Sequence, residues 1–354
     1  MNNKISMWAE VEGPHLRSFD EDKIRDSING ALKLRSDIEK IVDTIWEDGF
    51  DGIYFMGIGG TYASSMQVEV YMRGRSKLPV YVENAAEFLT TGNKRFTEKS
   101  VLIYSSVSGN TKEMVELVKK VKDIGAKVFA FIDTPNTVLT QPENQDYLIM
   151  YPANEQLKFY MVANYLMYKN GEFEDYDEYN RQMEASLADA LIDVEKSADE
   201  WAYNYASEKV DFLNSHKDLP HYFIGSGNQY GATYSYAMCY WEEQMWIRTK
   251  SISCQEFFHG MQEIIVADTP VTLFIGEDEQ RPLAERVARF LPKVNANYTI
   301  IDTKEYPLKG ISEKFRGSIS HLVMRAVNAR VDSYMELFLR HPLSIRRYYR
   351  QFDY

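Results

Sequence analysis

The chain has little cysteine and no long hydrophobic run. Its 354 residues include only Cys239 and Cys254, and residues 1–6 contain no hydrophobic signal core. A disulfide-stabilised secreted protein is therefore not indicated, and we expect reduced thiols in the cytoplasm. The longest apolar stretches, such as Val271–Ile275, are far shorter than the roughly 20 residues that span a bilayer. The sequence gives no support for a membrane role.

Basic charge is also scarce. The formal net charge is −12, which disfavours nucleic acid or an anionic membrane as a partner, because both require a basic surface. The sequence has no Gly-Lys-Ser/Thr triplet of a P-loop and no cysteine, histidine and carboxylate cluster with metal-ligand spacing. No metal is therefore predicted. The length exceeds the usual single-core size of roughly 250 to 300 residues, so we expect two domains.

One strand–turn–helix unit occurs twice. Residues 54–60 (Tyr-Phe-Met-Gly-Ile-Gly-Gly) recur 168 residues later as residues 222–228 (Tyr-Phe-Ile-Gly-Ser-Gly-Asn). Each copy joins an apolar strand to a helix through a Gly-x-Gly turn, which places backbone N–H groups where anions bind. A dinucleotide-binding turn would require a third glycine, but the chain has Tyr62 and Tyr230 there. The repeat therefore indicates two related α/β units and argues against a nucleotide.

The alternation of strands and helices predicts the fold class. We expect an α/β protein with two doubly wound, parallel-sheet lobes of flavodoxin-like type, related by pseudo-twofold symmetry. The expected boundaries are an N-terminal segment 1–28, a first domain 29–165, a helical linker 166–210, a second domain 211–340 and a tail 341–354. A long helix is predicted over about 229–246. The tail is basic and aromatic in an acidic protein, so we expect it to dock on a lobe or to close a site.

A hydroxyl-rich segment follows a predicted buried strand at residues 104–111 (Tyr-Ser-Ser-Val-Ser-Gly-Asn-Thr). We expect Asn110 to cap the next helix, with Glu113 as a capping-box acid and Gly125 as the C-terminal stop. Hydroxyls and free N–H groups at the positive end of a helix dipole suit a phosphate dianion. A serine-rich capping turn without a ligand is the alternative. The glycine turn on the neighbouring strand favours the phosphate.

These motifs carry a resemblance to a family. Gly57-Ile-Gly-Gly-Thr61 followed by Ser106-x-Ser108-Gly-x-Thr111, with the unit then duplicated, resembles the double sugar-isomerase (SIS) domain proteins over roughly residues 30–345. Family members bind a sugar 6-phosphate with the second motif. The resemblance therefore implies a phosphate site formed by Gly60, Thr61, Ser106, Ser108 and Thr111. The matching second-lobe segment 276–280 (Gly-Glu-Asp-Glu-Gln) has no hydroxyls, which indicates one phosphate site per chain.

A carboxylate and an imidazole are the candidates for catalysis. Glu243 lies 16 residues before His259, which precedes a glycine. In SIS isomerases, a glutamate at this spacing resembles the base that moves a proton between C1 and C2 of the sugar, and the histidine opens the ring. The choice of Glu243 over Glu242 depends on this spacing. The alternatives are a solvated helix face and a loop histidine. Three other histidines lie near element ends and are expected at the surface: His15, His216 and His221.

The family divides among glucosamine-6-phosphate synthesis, phosphosugar isomerisation, deglycation and regulation. Synthesis is not expected, because no glutaminase with an N-terminal cysteine precedes the first lobe and Lys314 is the last lysine. Residues 255–260, 276–286 and 341–348 resemble the fructosamine 6-phosphate deglycases, particularly the fructoselysine-6-phosphate type. The resemblance implies hydrolysis to glucose 6-phosphate and an amine, without a cofactor.

The resemblance also implies a cytoplasmic homodimer or higher homo-oligomer, in which one subunit's site can include residues of its partner. A phosphosugar isomerase or an aminosugar-phosphate deaminase would use the same groups and remains open. A non-catalytic sugar-phosphate sensor is disfavoured, because it would need neither Glu243 nor His259. The identity of the amine is not indicated by the sequence.

Overall fold

A computed structural model describes residues 13–349 and residue 351 of the chain. The rest of the predicted N-terminal segment and tail, residues 1–12, 350 and 352–354, lies outside the described residues. The first part of the chain contains α1 (Glu21–Leu32), α2 (Arg35–Asp48), β1 (Gly52–Gly57), α3 (Gly60–Arg73), β2 (Val80–Asn84), α4 (Ala85–Thr91), β3 (Ser100–Ser106), α5 (Lys112–Ile124), β4 (Lys127–Ile132), β5 (Tyr147–Met150) and α6 (Glu155–Lys169).

The remaining elements begin with the long helix α7. They are α7 (Tyr176–Ser215), β6 (His221–Gly225), α8 (Asn228–Ser235), β7 (Thr249–Ser253), α9 (Cys254–Phe257), β8 (Val271–Ile275), α10 (Arg281–Phe290), β9 (Tyr298–Asp302) and α11 (Glu313–Leu339). A π-helical segment, Tyr236–Glu242, follows α8 directly. In the part of the chain that the structure describes, no helix is long and apolar enough to cross a membrane.

Two parallel sheets form the two lobes. The first has the strand order β2-β1-β3-β4-β5, and the second has the order β7-β6-β8-β9. The first order is that of flavodoxin-like folds, and the second repeats its first four positions. The predicted fold of two doubly wound parallel-sheet lobes is confirmed.

The repeated glycine turns have the same backbone shape in both lobes. Gly59 has φ 60° and ψ −127°, and Gly227 has φ 60° and ψ −139°, a region that favours glycine. At Gly57, a Cβ atom would lie 2.6 Å from both the Thr61 hydroxyl and the Tyr62 nitrogen. Glycine at this position therefore lets α3 begin directly after β1.

The lobes pack through equivalent helices. The first helix after each glycine turn, α3 or α8, lies against its counterpart, and a Cβ on Gly231 of α8 would be 2.5 Å from the Ala63 carbonyl oxygen of α3. Helix α7 packs along α11 and contributes Leu187 and Ala206 to the main hydrophobic core. This helix covers most of the predicted linker 166–210 and belongs to the body of the protein.

The structure corrects two local predictions and adds one strand. Residues 229–246 do not form one α-helix, because α8 ends at Ser235 and the π-helical segment follows. Strand β7 was not predicted, since its sequence Thr-Lys-Ser-Ile-Ser is mostly polar. His221 is buried rather than at the surface: its ring packs against Phe223 and Trp241, and its Nε2 lies 2.8 Å from the Thr272 hydroxyl. The other two, His15 and His216, are exposed as predicted.

Candidate functional site

The hydroxyl-rich loop joins the end of β3 to the start of α5. Its Ser106 hydroxyl accepts a hydrogen bond from the Gly109 N–H at 3.0 Å, and the Ser108 hydroxyl lies 3.3 Å from the Thr111 hydroxyl. Gly109 has φ 61°, and a Cβ there would lie 2.0 Å from the Thr137 hydroxyl. Only glycine fits this turn, which holds three hydroxyls around the N-terminus of α5.

The cap of α5 differs from the prediction. Thr111, not Asn110, is the N-cap residue, and the Asn110 side-chain oxygen instead accepts from the Val138 N–H at 3.0 Å. Within the described chain, the Thr111 side chain makes no capping hydrogen bond, so no capping box with Glu113 forms. The N–H groups of the first turn thus keep their capacity to bind an anion. Gly125, with φ 91°, ends the helix as predicted.

The glycine turn lies beside this loop. The Thr61 hydroxyl accepts from the Ile58 N–H at 3.1 Å and donates to the Ile58 carbonyl at 3.0 Å, so it shapes the turn. Strands β1 and β3 are neighbours, and helices α3 and α5 therefore begin at the same edge of the sheet. The structure thus brings Gly60 and Thr61 to the same edge as the serine loop, an arrangement suited to phosphate.

The equivalent position in the second lobe is occupied by the protein itself. The Asp278 carboxylate accepts from the Asn228 N–H at 2.6 Å and from the Gln280 N–H at 3.0 Å. It therefore lies at the N-terminus of α8, where an anion would bind, and burial raises its pKa. A Cβ on Gly227 would overlap this carboxylate, 2.0 Å from its nearer oxygen. An internal carboxylate takes the place that phosphate would occupy here.

Glu243 follows the π-helical segment. Its N–H donates to the Met238 carbonyl, five residues earlier, at 3.0 Å, and such turns are frequent at functional sites. Its carboxylate is partly buried and accepts from Arg346 Nε at 2.7 Å. The neighbouring Glu242 is exposed and accepts from the Thr249 hydroxyl at 2.6 Å. The two carboxylates therefore differ in exposure and in hydrogen-bond partner.

The helix that carries Glu243 contacts the first-lobe glycine turn. Cys239 lies one turn before Glu243, and a Cβ built on Gly60 would be 3.7 Å from the Cys239 sulfur and from the Ser235 hydroxyl. Burial raises the pKa of the Cys239 thiol to about 11, and nearby carboxylates, including Glu243, add to this. Cys239 is thus a neutral thiol between the proposed base and the phosphate edge.

The sequence did not indicate two residues that lie between the phosphate edge and Glu243. Cys239 is four residues before Glu243, a spacing that places both on one helix face and could have drawn attention to it. Glu155 begins α6 beside the hydroxyls of Ser64 and Ser105, and burial raises the pKa of its carboxyl. No motif marks Glu155, because only the fold brings α6 to this edge.

His259 lies away from Glu243 within the chain. Glu243 precedes β7, and its neighbour Glu242 contacts Thr249 at the start of that strand. His259 is exposed and follows the far end of β7 at Ser253, and five strand residues span about 13 Å. The structure therefore places the predicted acid–base pair at opposite ends of the second sheet.

The tail docks on the helix end that carries Glu243. His341 Nε2 lies 2.9 Å from the Gln244 carbonyl oxygen, and its ring packs against Trp246. Arg346 pairs with Glu243, and the Arg347 guanidinium lies 4.1 Å above the Trp246 ring. Glu243, Arg346 and Arg347 line a cavity of about 480 Å³. The tail both docks on a lobe and encloses a cavity.

Comparison with known proteins identifies the first lobe. Residues 51–168 match the family model of the SIS domain, and the resemblance predicted from the sequence is confirmed. The chain is similar to the fructosamine deglycase FrlB of Bacillus subtilis (strain 168), with 27% identity over 334 residues, 92% of this chain and 99% of the relative.

Two further similarities extend over both lobes. The chain is 22% identical over 320 residues to the fructoselysine 6-phosphate deglycase of Escherichia coli (strain K12), which is 88% of this chain and 89% of that protein. A candidate phosphosugar isomerase of Salmonella typhimurium LT2 superposes with a TM-score of 0.81 at 23% identity, over 90% of this chain and 99% of that one. The solved structure shows the fold, and the two deglycases support an enzyme.

Proposed function

We propose that the chain is a deglycase that hydrolyses a fructosamine 6-phosphate, of fructoselysine 6-phosphate type, to glucose 6-phosphate and a free amine. The observation that carries the proposal is the contact between the Glu243 helix and the first-lobe glycine turn, through Cys239 and Gly60. A sugar 6-phosphate held at that edge extends its carbon chain toward Glu243. The names of the two deglycase relatives support the same reaction.

The chemistry needs one base that carries a proton from C1 to C2. After ring opening, Glu243 removes a proton from C1 while the C2 carbonyl oxygen gains one, which gives an enaminol. Glu243 then returns its proton to C2, the nitrogen releases a proton that balances the one gained by the C2 oxygen, and the C1–N bond becomes an imine. Water adds to C1, the C–N bond breaks, and the amine leaves with a proton. Glucose 6-phosphate remains, and the proposal requires no cofactor.

The arrangement of N–H and hydroxyl groups in the first lobe supports roles for these groups in phosphate binding. The N–H groups that begin α3 and α5 and the hydroxyls of Ser106, Ser108 and Thr111 hold the phosphate dianion, with Gly60 and Thr61 on the neighbouring turn. Charge-assisted hydrogen bonds of this kind are each worth about 1.5 to 3 kcal/mol. Asp278 at the equivalent place in the second lobe supports one phosphate per chain.

We further propose a cytoplasmic homodimer. His259 is exposed and lies far from Glu243 of its own chain, so ring opening at one site uses the partner's His259. Two free thiols, Cys239 and Cys254, suit a reducing compartment.

The direct test is an assay of glucose 6-phosphate and amine release from fructoselysine 6-phosphate, with unphosphorylated fructoselysine as the control. We expect turnover of the phosphorylated compound alone. Interconversion of aldose and ketose phosphates without amine release would instead identify an isomerase. Ammonia from an aminosugar phosphate would identify a deaminase, and binding without turnover would identify a sensor.

A further inference from the structure

The cavity under the tail lies beyond Glu243 as seen from the phosphate-binding edge of the first lobe. Cys239, one turn before Glu243, faces the glycine turn of the first lobe. Trp246, on the other side of Glu243 in the chain, lines the cavity together with Glu243 itself. If the proposed function holds, C6 lies at the phosphate edge and C1 lies at Glu243. The substituent on C1, which is the amine portion of the substrate, is then directed into the cavity.

The cavity has the size of a small-molecule site. Its volume of about 480 Å³ lies within the range of roughly 300 to 1,000 Å³ that is usual for ligand pockets. Trp246 supplies an aromatic surface, and the tail residues Arg346, Arg347, Tyr348 and Tyr349 also line the cavity. An amino acid or a short amine of similar size fits this space.

Three arginines line this cavity, and only one of them keeps its charge available. Arg346 is paired with Glu243 at 2.7 Å, and Arg248 is paired with Asp218 at 2.7 Å. Arg347 lies 4.1 Å above the Trp246 ring, and none of the carboxylates in residues 13–349 forms an ion pair with it. Stacking on the ring orients a guanidinium without neutralising it. Arg347 therefore presents a fixed positive charge and a fork of donors.

We propose that Arg347 binds a carboxylate on the amine portion of the substrate. A guanidinium fork matches the two oxygens of a carboxylate, so it discriminates a carboxylate from an uncharged group of the same shape. The enzyme then favours fructosamine 6-phosphates whose amine is an amino acid over those of uncharged amines. Glu242, which also lines the cavity, adds a negative charge that suits the ammonium group of an amino acid linked through its side chain.

The test uses two substrates that differ only in this charge, the fructosamine 6-phosphates of glycine and of glycinamide. Wild-type enzyme should have the higher kcat/KM for the glycine compound. Arg347→Met should lower that value about tenfold to a hundredfold, as expected for a lost charge-assisted pair, and leave the glycinamide compound unchanged. Arg347→Lys should retain part of the preference, because it keeps the charge but loses the fork.

Arg75 provides a control for the Arg347 variant. Arg75 also stacks on an aromatic ring, 4.4 Å from Tyr71, but lies outside the cavity, so Arg75→Met should preserve the preference for the glycine compound. Equal turnover of both compounds by wild type, or equal losses for both in Arg347→Met, would overturn the role of Arg347 while the proposed function stands. Glucose 6-phosphate release from neither compound would overturn both.

Discussion

Arg346 Nε donates a hydrogen bond to Glu243 Oε1 at 2.7 Å, across 103 residues of sequence. The same guanidinium donates to the carbonyls of Leu343 and Ile345 at 2.6 and 2.9 Å, so it is held by its own tail while it holds the proposed base. The tail thereby fixes one carboxylate oxygen of Glu243 and leaves the other for the substrate. Arg346 is a positioning residue in this scheme.

Loss of this contact should reduce activity more than stability. The pair is partly exposed, with 20% and 35% of the two side chains accessible, and such pairs contribute at most about 1 kcal/mol to folding. A misplaced catalytic group can cost about a hundredfold in rate. We expect Arg346→Met to lower kcat about ten- to a hundredfold with a small change in Tm.

Arg35 provides the control for that variant. It bonds Glu39 at 2.8 Å and Glu184 at 2.6 Å with similar exposure but lies on α2, away from the site. Arg35→Met should change Tm by a comparable amount and leave kcat unchanged. An Arg346→Met enzyme with wild-type kcat would exclude the positioning role.

The two adjacent glutamates should differ sharply in their effect on turnover. Glu243→Gln keeps the shape of the side chain but cannot accept the proton from C1, so kcat should fall about 100- to 10,000-fold. Glu242→Gln removes an exposed group that contacts Thr249 and should have little effect on kcat. In deuterium oxide, wild type should incorporate deuterium at C2 of the glucose 6-phosphate released. Turnover by Glu243→Gln within tenfold of wild type would remove Glu243 from the mechanism.

Alanine substitutions at two glycines should distinguish an effect on substrate binding from an effect on stability alone. Gly109 and Gly125 both have positive φ, but a Cβ on Gly109 would overlap Thr137, whereas the nearest neighbour at Gly125 is 3.6 Å away. Alanine at either position should destabilise the fold by about 1 kcal/mol or more. Only Gly109→Ala should also raise KM, because it displaces Ser108 and Thr111. An unchanged KM in this variant, measured at a temperature where it is folded, would argue against the phosphate assignment.

Asp332 should make stability depend on pH. Burial raises its carboxyl pKa from 3.8 to about 7, although the Tyr236 hydroxyl donates to it at 2.8 Å and opposes this shift. Between those two values the folded chain keeps a proton that the unfolded chain has released, so this contribution to stability is lost as pH rises from about 4 to about 7. Asp332→Asn does not titrate.

The measurement for Asp332 is urea unfolding across that pH range. The difference in free energy of unfolding between wild type and Asp332→Asn should fall with rising pH and level off above about 7. Glu195, whose pKa burial also raises to about 7, is present in both proteins and cancels in the difference. A difference that stays flat with pH would contradict the prediction.

The sequence predicts elements whose burial produces a local pattern. Strands β1 and β6 lie where the repeated unit predicts them, because each is a short apolar run that ends in a Gly-x-Gly turn. Strand β7 was not predicted, because it is a polar edge strand whose pairing with β6 is visible only in the fold. The π-helical turn before Glu243 also escaped, because one inserted residue does not alter the hydrophobic period enough to be read.

The candidate site likewise contains residues with a visible sequence pattern and residues that only the fold brings together. The residues of the phosphate loop stand close together in sequence, so their hydroxyl pattern is visible there. Glu155 reaches its place only through tertiary packing, and nothing in its local sequence distinguishes it from a surface charge. Arg346 and Asp278 lie in segments that the sequence marked, but their contacts with Glu243 and Asn228 are visible only in the fold. The separation of His259 from Glu243 is likewise a property of the direction of β7, which the 16-residue spacing does not reveal.

That separation leads to a complementation experiment. If each site combines Glu243 of one chain with the partner's His259, Glu243→Gln and His259→Ala enzymes should each be inactive as homodimers. A mixed dimer of the two has one site with both groups intact and one site with neither. After refolding the two variants together in equal amounts, about half of the dimers should be mixed. Activity should therefore return to about a quarter of the wild-type value, given that each variant alone loses at least about a hundredfold.

The two variant chains carry different affinity tags, so that the mixed dimer can be purified and assayed by itself. Its kcat per dimer should be about half that of wild type, with an unchanged KM, because the intact site contains native residues only. A second mixture, of Glu243→Gln with a Glu243→Gln, His259→Ala double variant, has no intact site in either arrangement and should remain inactive. If Glu243 and His259 acted within one chain, the first mixed dimer would also be inactive, because each chain would then lack one of the two groups. Inactivity of a mixed dimer that is stable in sedimentation would thus disprove a shared site.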